Sequence, residues 1–490
     1  MSYVDVTPVG RIFNRFTKDT DVLDNEFSQA VQDIISIFAT IVGSLILCII
    51  YLPWFAIAVP PLLIMFLLMT GYFQATAREI KRLEAVQRSF VYSWFGESLS
   101  GMSTIKAYKS EERFLRTMDK TVDKMNEAYF LVNAGQRYLA INLTILVASL
   151  SLIVGLLCCF RVFNIDAAST GLILSYVLQI SEYFVYLFRI ATQVENQMNS
   201  VERLKYYAVN LPQEAPAHVT SAKPPPSWPE YGGIKFKNVS LKYREGLPYA
   251  LKNMSIEVKP HEKIGICGRT GAGKSTLTAC IYRLSEPEGL ITIDGVDISK
   301  LGLAELRTKL SIIPQDPVLF TGTIRDNLDP FHEHSDDELW DALRRAHLVN
   351  ESMLDKIKEQ TEVNSTMHKF HLLQTVEEDG GNFSLGERQL IALARALVRK
   401  TKILILDEAT SSVDYETDAK IQDTISHEFA NCTILCIAHR LKTIIKYDRI
   451  MVLEEGEVEE FDTPLNLFQN ENGIFRSMCD VSHITADDFI

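Results

Sequence analysis

Two long stretches without a charged residue dominate the N-terminal part of the chain, one from Ile34 to Ala77 and the other from Tyr138 to Phe160. Since about 20 apolar helical residues cross the core of a bilayer, the first stretch is long enough for two membrane spans. The prolines at Pro53 and at Pro60-Pro61 restrict the backbone and favour breaks or kinks. We therefore predict a helical hairpin, with a helix over residues 35–51, a tight turn at residues 52–54 and a helix from 55 to about 73.

The second stretch predicts a third span, and a fourth apolar segment begins near Ala167. Polar residues interrupt this fourth segment at steps of three or four positions, which places them on one face of a helix. They are Gln179, Glu182, Tyr186, Arg189 and Gln193. Two interpretations remain open. The face lines a substrate cavity, since ionisable residues at membrane depth tend to face a bundle interior or water, or Glu182 and Arg189 lie near the membrane interface and extend their polar ends into water.

A polar segment over residues 74–136 separates the second and third spans and predicts two long helices with a break near residues 97–101. Ten lysines and arginines lie between Arg78 and Lys124, whereas the turns near Pro53 and Asn164 carry almost no charge. Because cytoplasmic loops carry the excess of positive charge, we predict that this segment and both chain ends lie in the cytosol. The alternative, a buried helical bundle in a soluble protein, is disfavoured by the length of the uncharged run.

Proline and glycine mark a linker after the fourth span. Six of the 17 prolines and a Gly-Gly pair fall in residues 211–233, which is a linker composition. We predict a membrane domain over residues 1–210 and a soluble domain over residues 234–490.

The soluble domain opens with a phosphate-binding pattern. An apolar run at residues 264–267 predicts a short buried strand that leads directly into a glycine-rich loop and an apolar helix, which is the required context of the P-loop pattern G-x-x-x-x-G-K-[ST]. Backbone N–H groups and the helix N-terminus then bind phosphates, Lys274 contacts the β- and γ-phosphates, and Ser275 ligates Mg²⁺. The predicted nucleotide-binding residues of this loop are Gly268, Arg269, Thr270, Gly271, Ala272, Gly273, Lys274, Ser275 and Thr276.

A second apolar run, residues 402–406, ends in the carboxylates Asp407 and Glu408, which is the Walker B arrangement. Asp407 suits Mg²⁺, directly or through water, and Glu408 suits the orientation and activation of an attacking water molecule. The two patterns together predict a Mg²⁺-dependent hydrolase of nucleoside triphosphates.

Composition narrows the classes of function. The net charge is −13, with 62 acidic against 49 basic residues, and since nucleic-acid binders usually carry a basic patch or stripe, we expect no nucleic-acid partner. The eight cysteines form no CxxC pair or metal spacing and are expected to be reduced thiols. The polar first residues lack the pattern of a signal peptide.

The sequence Asn382-Phe-Ser384-Leu-Gly386-Glu-Arg388-Gln389 resembles the signature motif of ATP-binding-cassette (ABC) proteins, usually LSGGQ. Further motifs follow in the order of that family. Tyr243 matches the adenine-stacking aromatic of the A-loop, Gln315 the Q-loop, residues 411–414 the D-loop and His439 the H-loop. On these motifs the chain is identified as a member of the ABC family.

The resemblance implies an α-helical transmembrane domain of exporter type followed by an α/β P-loop NTPase domain. It implies that two such NTPase domains close head to tail around two ATP molecules. One ATP is then served by Tyr243, the P-loop, Asp407 and four catalytic residues, Lys274, Gln315, Glu408 and His439. Ser275, Gln315 and Asp407 are the implied Mg²⁺ ligands, and Gln315 also senses the membrane domain. Ser384 and Gly386 cap the other ATP, which a partner domain holds.

The wording of the motifs is similar to the second nucleotide-binding domain of C-subfamily, multidrug-resistance-associated transporters, and resembles fungal exporters of the oligomycin-resistance type. That subfamily places the hydrolytic site on this domain's P-loop and on Glu408. Leu385 and Glu387 depart from LSGGQ. This departure disfavours ATP hydrolysis at the other site, which this motif completes. The implied function is ATP-driven efflux of xenobiotics or organic anions, in the plasma membrane or the vacuolar membrane.

Residues 7–19 and 97–114 resemble the first and second intracellular loops of such a transmembrane domain. In the family two membrane helices precede the first loop, and six helices complete the domain. We therefore expect this chain to be part of a longer transporter, with the remaining helices and a second nucleotide-binding domain supplied by the same longer chain or by another copy. An ATP-gated channel or channel regulator, and a fragment that transports nothing, are the alternatives.

Overall fold

The computed structural model describes residues 3–160, 166–351, 354, 357, 368–409, 415–438 and 440–489. The chain divides into two compact units that meet in sequence at Leu211 and Pro212.

The first unit is helical. Its elements are α1 (Val9–Asn14), π-helical turns at Arg15–Asp19 and Val22–Phe27, α2 (Ser28–Tyr51), α3 (Phe55–Ser100), α4 (Met102–Ala107), α5 (Glu111–Cys159) and α6 (Ala167–Val209). Four helices of the described chain, in the stretches Val9–Tyr51, Phe55–Ser100, Glu111–Cys159 and Ala167–Val209, are long and apolar enough to cross a membrane. The predicted hairpin is confirmed, because α2 ends at Tyr51 and α3 begins at Phe55.

The break or kink favoured at Pro60-Pro61 does not end a helix, since both prolines lie inside α3. They fall in its second turn, and neighbouring helices and local adjustments let membrane helices tolerate the backbone hydrogen bonds that proline removes. The predicted break in the polar segment is confirmed at Gly101, where α3 ends. The short helix α4, which fills the connection to α5, was not predicted.

Helix α6 packs one face against the rest of this unit and leaves the other uncovered by the described chain. Ile173, Val177, Ile180 and Ile190 are buried, whereas the five polar residues predicted to share a face, Gln179, Glu182, Tyr186, Arg189 and Gln193, are all exposed. Near the cytosolic end predicted for α6, Arg203 donates two hydrogen bonds to the buried carboxylate of Asp19, at 2.6 and 3.0 Å. This ion pair ties the first turns of the unit to its last helix.

The second unit is α/β. Its strands are β1 (Ile234–Leu241), β2 (Leu251–Val258), β3 (Lys263–Gly268), β4 (Glu288–Ile293), β5 (Val296–Asp297), β6 (Leu310–Ile313), β7 (Gly322–Thr323), β8 (Thr375–Val376), β9 (Ile403–Asp407), β10 (Thr433–Ile437), β11 (Arg449–Glu454) and β12 (Glu457–Asp462). Its helices are α7 (Lys274–Ile281), α8 (Leu303–Arg307), α9 (Ile324–Leu328), α10 (Asp336–Arg345), α11 (Leu385–Arg399), α12 (Tyr415–Glu428), α13 (Leu441–Ile444), α14 (Pro464–Gln469) and α15 (Ile474–Val481). Short 3₁₀ turns lie at Thr220–Ala222, Ile298–Lys300, Glu378–Gly380 and Ala486–Phe489.

The larger sheet of this unit has the strand order β12-β11-β3-β10-β9-β6, and its inner strands are parallel. Successive side chains point to opposite faces of a strand, and here both faces are covered. Ile403 and Ile405 of β9 enter one buried cluster, whereas Leu404 and Leu406 enter another. Such two-sided burial is what selects continuous apolar strands in parallel sheets.

Strand β10 lies between β3 and β9, and its Ile437 pairs with Ile266 on one side and Asp407 on the other. The carboxyl ends of β3 and β9 therefore lie at the same edge of the sheet, where open α/β sheets bind their ligands. A smaller antiparallel sheet, β2-β1-β4-β5, carries the segment that contains Tyr243.

Candidate nucleotide-binding site

The loop between β3 and α7 has a backbone that only glycine fits at two points. Gly268 has a φ of 150°, and a Cβ there would lie 2.2 Å from the carbonyl oxygen of Leu453. Gly273 has a φ of 99°, and a Cβ there would lie 2.5 Å from the carbonyl oxygen of Ala250. Neighbouring backbone thus fixes both ends of the loop, and α7 begins at Lys274 with its N-terminal N–H groups at the loop.

Other loop residues are less confined. Gly271 has a φ of 85° but open space around its missing Cβ. Ala272 is buried, and its carbonyl accepts a hydrogen bond from the N–H of Gly456 in the β11–β12 turn. Arg269 and Thr270 are exposed. The loop therefore rests on β11 and β12 and presents its middle residues to solvent.

The ammonium group of Lys274 folds back onto its own loop. It donates to the carbonyl oxygen of Gly268 at 2.8 Å and to that of Arg269 at 3.3 Å. A positive charge thus lies among the backbone groups that wrap phosphates in P-loop proteins.

Ser275 and Asp407 meet across the sheet edge, where the serine hydroxyl donates to Oδ1 of Asp407 at 3.3 Å. Burial raises the pKa of Asp407 above its ordinary value, the hydrogen bond from Ser275 lowers it, and the negative charge of Glu408 raises it. Hydroxyl and carboxylate oxygens are ligands that Mg²⁺ accepts, and Mg²⁺ sites usually add water and phosphate oxygens. Among the described residues no group of three or more histidine, cysteine, aspartate or glutamate side chains is placed to hold a metal ion. The two residues fit Mg²⁺ that arrives with a nucleotide.

Glu408 follows β9 in a left-handed conformation, with a φ of 50°. Its N–H donates to the carbonyl oxygen of Ile437 at 3.0 Å, which fixes the turn after the strand. Gln315 is exposed, and its carbonyl oxygen accepts a hydrogen bond at 2.9 Å from the side-chain amide of Gln389. Because Gln389 is buried on α11, this bond connects the residue predicted to form the Q-loop with the helix that follows the signature motif.

Tyr243 contacts the P-loop helix through its hydroxyl group, which donates to Oγ1 of Thr276 at 3.0 Å. Its side chain is 45% exposed. An aromatic ring that is both accessible and anchored beside the phosphate loop can stack on a flat base, since stacking requires a free face.

The signature motif forms the start of α11, where Ser384 is the N-cap. The N–H of Glu387 donates to Oγ of Ser384 at 3.2 Å, and the N–H of Ser384 donates to Oε2 of Glu387 at 2.7 Å, which together make a capping box. The nearest atoms to a Cβ at Gly386 would be those of the side chain of Thr417, from 3.1 Å. The ammonium group of Lys369 lies 2.7 Å from each carboxylate oxygen of Glu387.

The structure thus brings Gly268, Lys274, Ser275 and Asp407 to one sheet edge, adds Tyr243 through Thr276, and places Ser384 and Gly386 at the N-terminus of α11. The predicted His439 and the predicted D-loop, residues 411–414, lie outside the described residues. Sequence reasoning missed Lys369 and the buried contact of Gln389. The signal that could have indicated Lys369 is Glu387 in the signature motif, because a carboxylate at that position is stabilised by a nearby cation.

Both parts of the chain match models of known protein families. A family model described as the ABC transporter transmembrane region matches residues 1–188, and one described as ABC transporter matches residues 251–411. The whole chain is 60% identical to part of the oligomycin resistance ATP-dependent permease YOR1 of Saccharomyces cerevisiae, covering 33% of that protein.

It is 48% identical, again over its whole length, to 35% of the ABC-type transporter cicA of Emericella nidulans. Over 97% of its length it is 45% identical to the ATP-binding cassette sub-family C member 4 of Homo sapiens, covering 35% of that protein. The chain spans about a third of the length of these relatives.

Proposed function

The chain belongs to the ABC transporter family, in its C subfamily, as an integral multi-pass membrane protein with an ATP-binding domain, and from this premise we propose that it is the ATP-hydrolysing half of an exporter. The observation that carries the proposal is the contact of Ser275 with Asp407, 3.3 Å apart at the edge where the P-loop begins. This contact joins the P-loop, which follows β3, to the acidic end of β9, although the two strands are far apart in sequence.

ATP is bound with its adenine on Tyr243 and its phosphates in the loop of residues 268–276. Lys274 exchanges its hydrogen bonds to Gly268 and Arg269 for the β- and γ-phosphate oxygens. Ser275, Asp407 and Gln315 would hold Mg²⁺. When bound, Mg²⁺ would supply positive charge that offsets the negative charge of the phosphate oxygens.

Glu408 orients a water molecule and accepts its proton as the water oxygen attacks the γ-phosphorus. The bond to the β,γ-bridging oxygen breaks, and ADP leaves with the electron pair. His439 and Gln315 contact the γ-phosphate region. Ser384 and Gly386 cap a second ATP held by another nucleotide-binding domain, on the same longer chain or another copy.

The experiment uses the purified transporter assembly that contains this chain. Lys274→Ala and Glu408→Gln should each abolish ATP turnover, and Glu408→Gln should retain ATP binding. Lys235→Ala and Glu257→Gln, which alter an exposed ion pair on β1 and β2, are the matched controls and should retain turnover. ATP hydrolysis unchanged by either active-site substitution contradicts the proposal.

We further propose that the nucleotide-binding unit lies in the cytosol, that the membrane is the plasma membrane, and that the substrates are amphipathic organic anions or xenobiotics. The exposed polar face of α6 supports the substrate class, because the guanidinium of Arg189 lies 5.3 Å from the ring centre of Tyr186 and adds a cation to an aromatic surface. Arg189→Gln should weaken transport of an anionic dye more than that of a neutral one. Arg137→Gln, an exposed arginine on α5, is the control, and equal losses for both dyes contradict the assignment.

A further inference from the structure

The signature motif of this chain carries an acidic residue, Glu387, where the usual family motif LSGGQ has glutamine. Glu387 is the third residue of α11, beside Ser384 and Gly386, which on the proposed function face the phosphates of a second ATP. An anion near a helix N-terminus is favourable in itself, but a carboxylate there competes with a phosphate for the same positive end. An acidic signature motif can therefore bind a phosphate well only if another group neutralises the carboxylate of Glu387.

In the structure Lys369 is the group that neutralises this carboxylate. Its ammonium group contacts both oxygens of Glu387 at 2.7 Å, while Oε2 also accepts the N–H of Ser384 at 2.7 Å. The carboxylate is thus turned back toward its own helix end and neutralised there. Burial raises the pKa of Glu387, but the hydrogen bonds from Lys369 and from the N–H of Ser384 outweigh it and hold the pKa below its ordinary value.

The segment that carries Lys369 is fastened to the motif by aromatic contacts. The ring of Phe370 stacks on that of Phe383, with 6.0 Å between ring centres, and the ammonium group of Lys369 lies 5.5 Å from the centre of the Phe383 ring. Phe383 itself is buried directly before Ser384. Lys369 is therefore held in place from two sides, by the ring of Phe383 and by the carboxylate of Glu387.

We propose that Lys369 is a positioning residue of the ATP site: it fixes and neutralises the carboxylate of Glu387 at the N-terminus of α11, so that an acidic motif accepts the ATP of the opposing domain. The inference rests on the proposed function, in which that motif caps a second ATP. Its role is electrostatic rather than structural. The side chains of Lys369 and Glu387 are 48% and 25% exposed, and exposed ion pairs contribute little to folding stability.

The test uses the full transporter assembly in a Glu408→Gln background, in which nucleotide is bound without turnover. The measured quantity is the concentration of Mg²⁺-ATP that gives half-maximal occlusion of labelled nucleotide. Lys369→Met should raise it about three- to tenfold, as expected for an uncompensated charge at a helix terminus. In a Glu387→Gln background the same Lys369→Met substitution should have no effect, because the neutral amide keeps the cap without the charge.

Two controls separate the possible causes. Lys235→Met removes a lysine from the exposed pair with Glu257 and should leave the concentration unchanged. Raising the ionic strength should reduce the effect of Lys369→Met, since salt screens exposed charges.

If Lys369→Met raises the half-maximal ATP concentration in the Glu387→Gln background as well, the proposal is overturned. Lys369 would then act directly on ATP or support the fold. The proposal is also overturned if Lys369→Met leaves the half-maximal ATP concentration unchanged in the assembly that keeps Glu387. Failure of the proposed function is distinct: the parent assembly would then occlude no nucleotide, or Lys274→Ala would occlude as much as the parent.

Discussion

The P-loop and the signature motif lie in the same unit but obtain their shapes in different ways. The P-loop is confined by backbone, since Leu453 and Ala250 approach Gly268 and Gly273 so closely that no side chain fits. The signature motif is organised by its own side chains, through the capping box of Ser384 and Glu387. The contrast teaches that the P-loop tolerates no side chain at Gly268 or Gly273, whereas the signature motif can be altered if its side chains compensate one another.

The largest test of this contrast is Gly268→Ala. A Cβ 2.2 Å from the carbonyl oxygen of Leu453 forces β3 and β11 apart, and we expect a loss of about 3 kcal/mol or more, which is roughly 6–12 °C in apparent melting temperature. Gly271→Ala is the matched control. It has a positive φ but open space, so we expect a loss of only about 1 kcal/mol. Melting of the purified protein with a thiol-reactive dye measures both, because Cys267 and Cys280 are fully buried. Equal losses would show that conformation, and not close approach, confines the loop.

The next test is Ser384→Ala, which removes the N-cap of α11 and should lower stability by about 1 kcal/mol. Ser335 caps α10 with the same capping box, closed by Glu338, so Ser335→Ala should have a similar effect on melting. Only Ser384→Ala should also weaken ATP occlusion by the assembly. If both substitutions weaken occlusion equally, the signature serine acts through the fold rather than through ATP.

Gly386→Ala should have a smaller effect on stability, within about 1 kcal/mol of the parent, because alanine favours the helix and the nearest neighbour of the added methyl group is the side chain of Thr417, at 3.1 Å. The same substitution should impair ATP occlusion if Gly386 faces a phosphate. A large drop in melting temperature would instead mean that the signature glycine, like Gly268, is required by its own domain.

The smallest expected change is a gain. Because the pKa of Asp407 is raised in the folded protein, its ionisation opposes folding: the stability present below its unfolded pKa of about 3.9 is lost as the pH rises through the folded value. Asp407→Asn should therefore raise the melting temperature of the nucleotide-free protein at pH 7, and the difference should shrink toward pH 4. The amide oxygen can still accept from Ser275. A lower melting temperature of Asp407→Asn than of the parent at pH 7 would contradict the predicted direction of the effect.

Local patterns in the sequence predicted the four membrane helices and, in the second unit, β3, α7 and β9, but they did not predict the contacts between distant elements. The strand before Gly268 and the hairpin at Pro53 follow from apolar runs and punctuating residues. The order β3-β10-β9, which brings Ser275 to Asp407, follows from pairings between distant strands. Lys369 was missed for the same reason, since nothing near it in sequence indicates that it contacts Glu387. The prolines at Pro60-Pro61 left open a break or a kink, and only the structure shows that α3 continues through both of them.

The left-handed backbone at Glu408 has a consequence for reading natural variation. A non-glycine residue with a φ of 50° costs about 1–2 kcal/mol, and glycine at this position would relieve that cost while deleting the carboxylate. On the proposed function, the carboxylate of Glu408 is retained at this conformational cost, so glycine at position 408 would trade ATP turnover for stability.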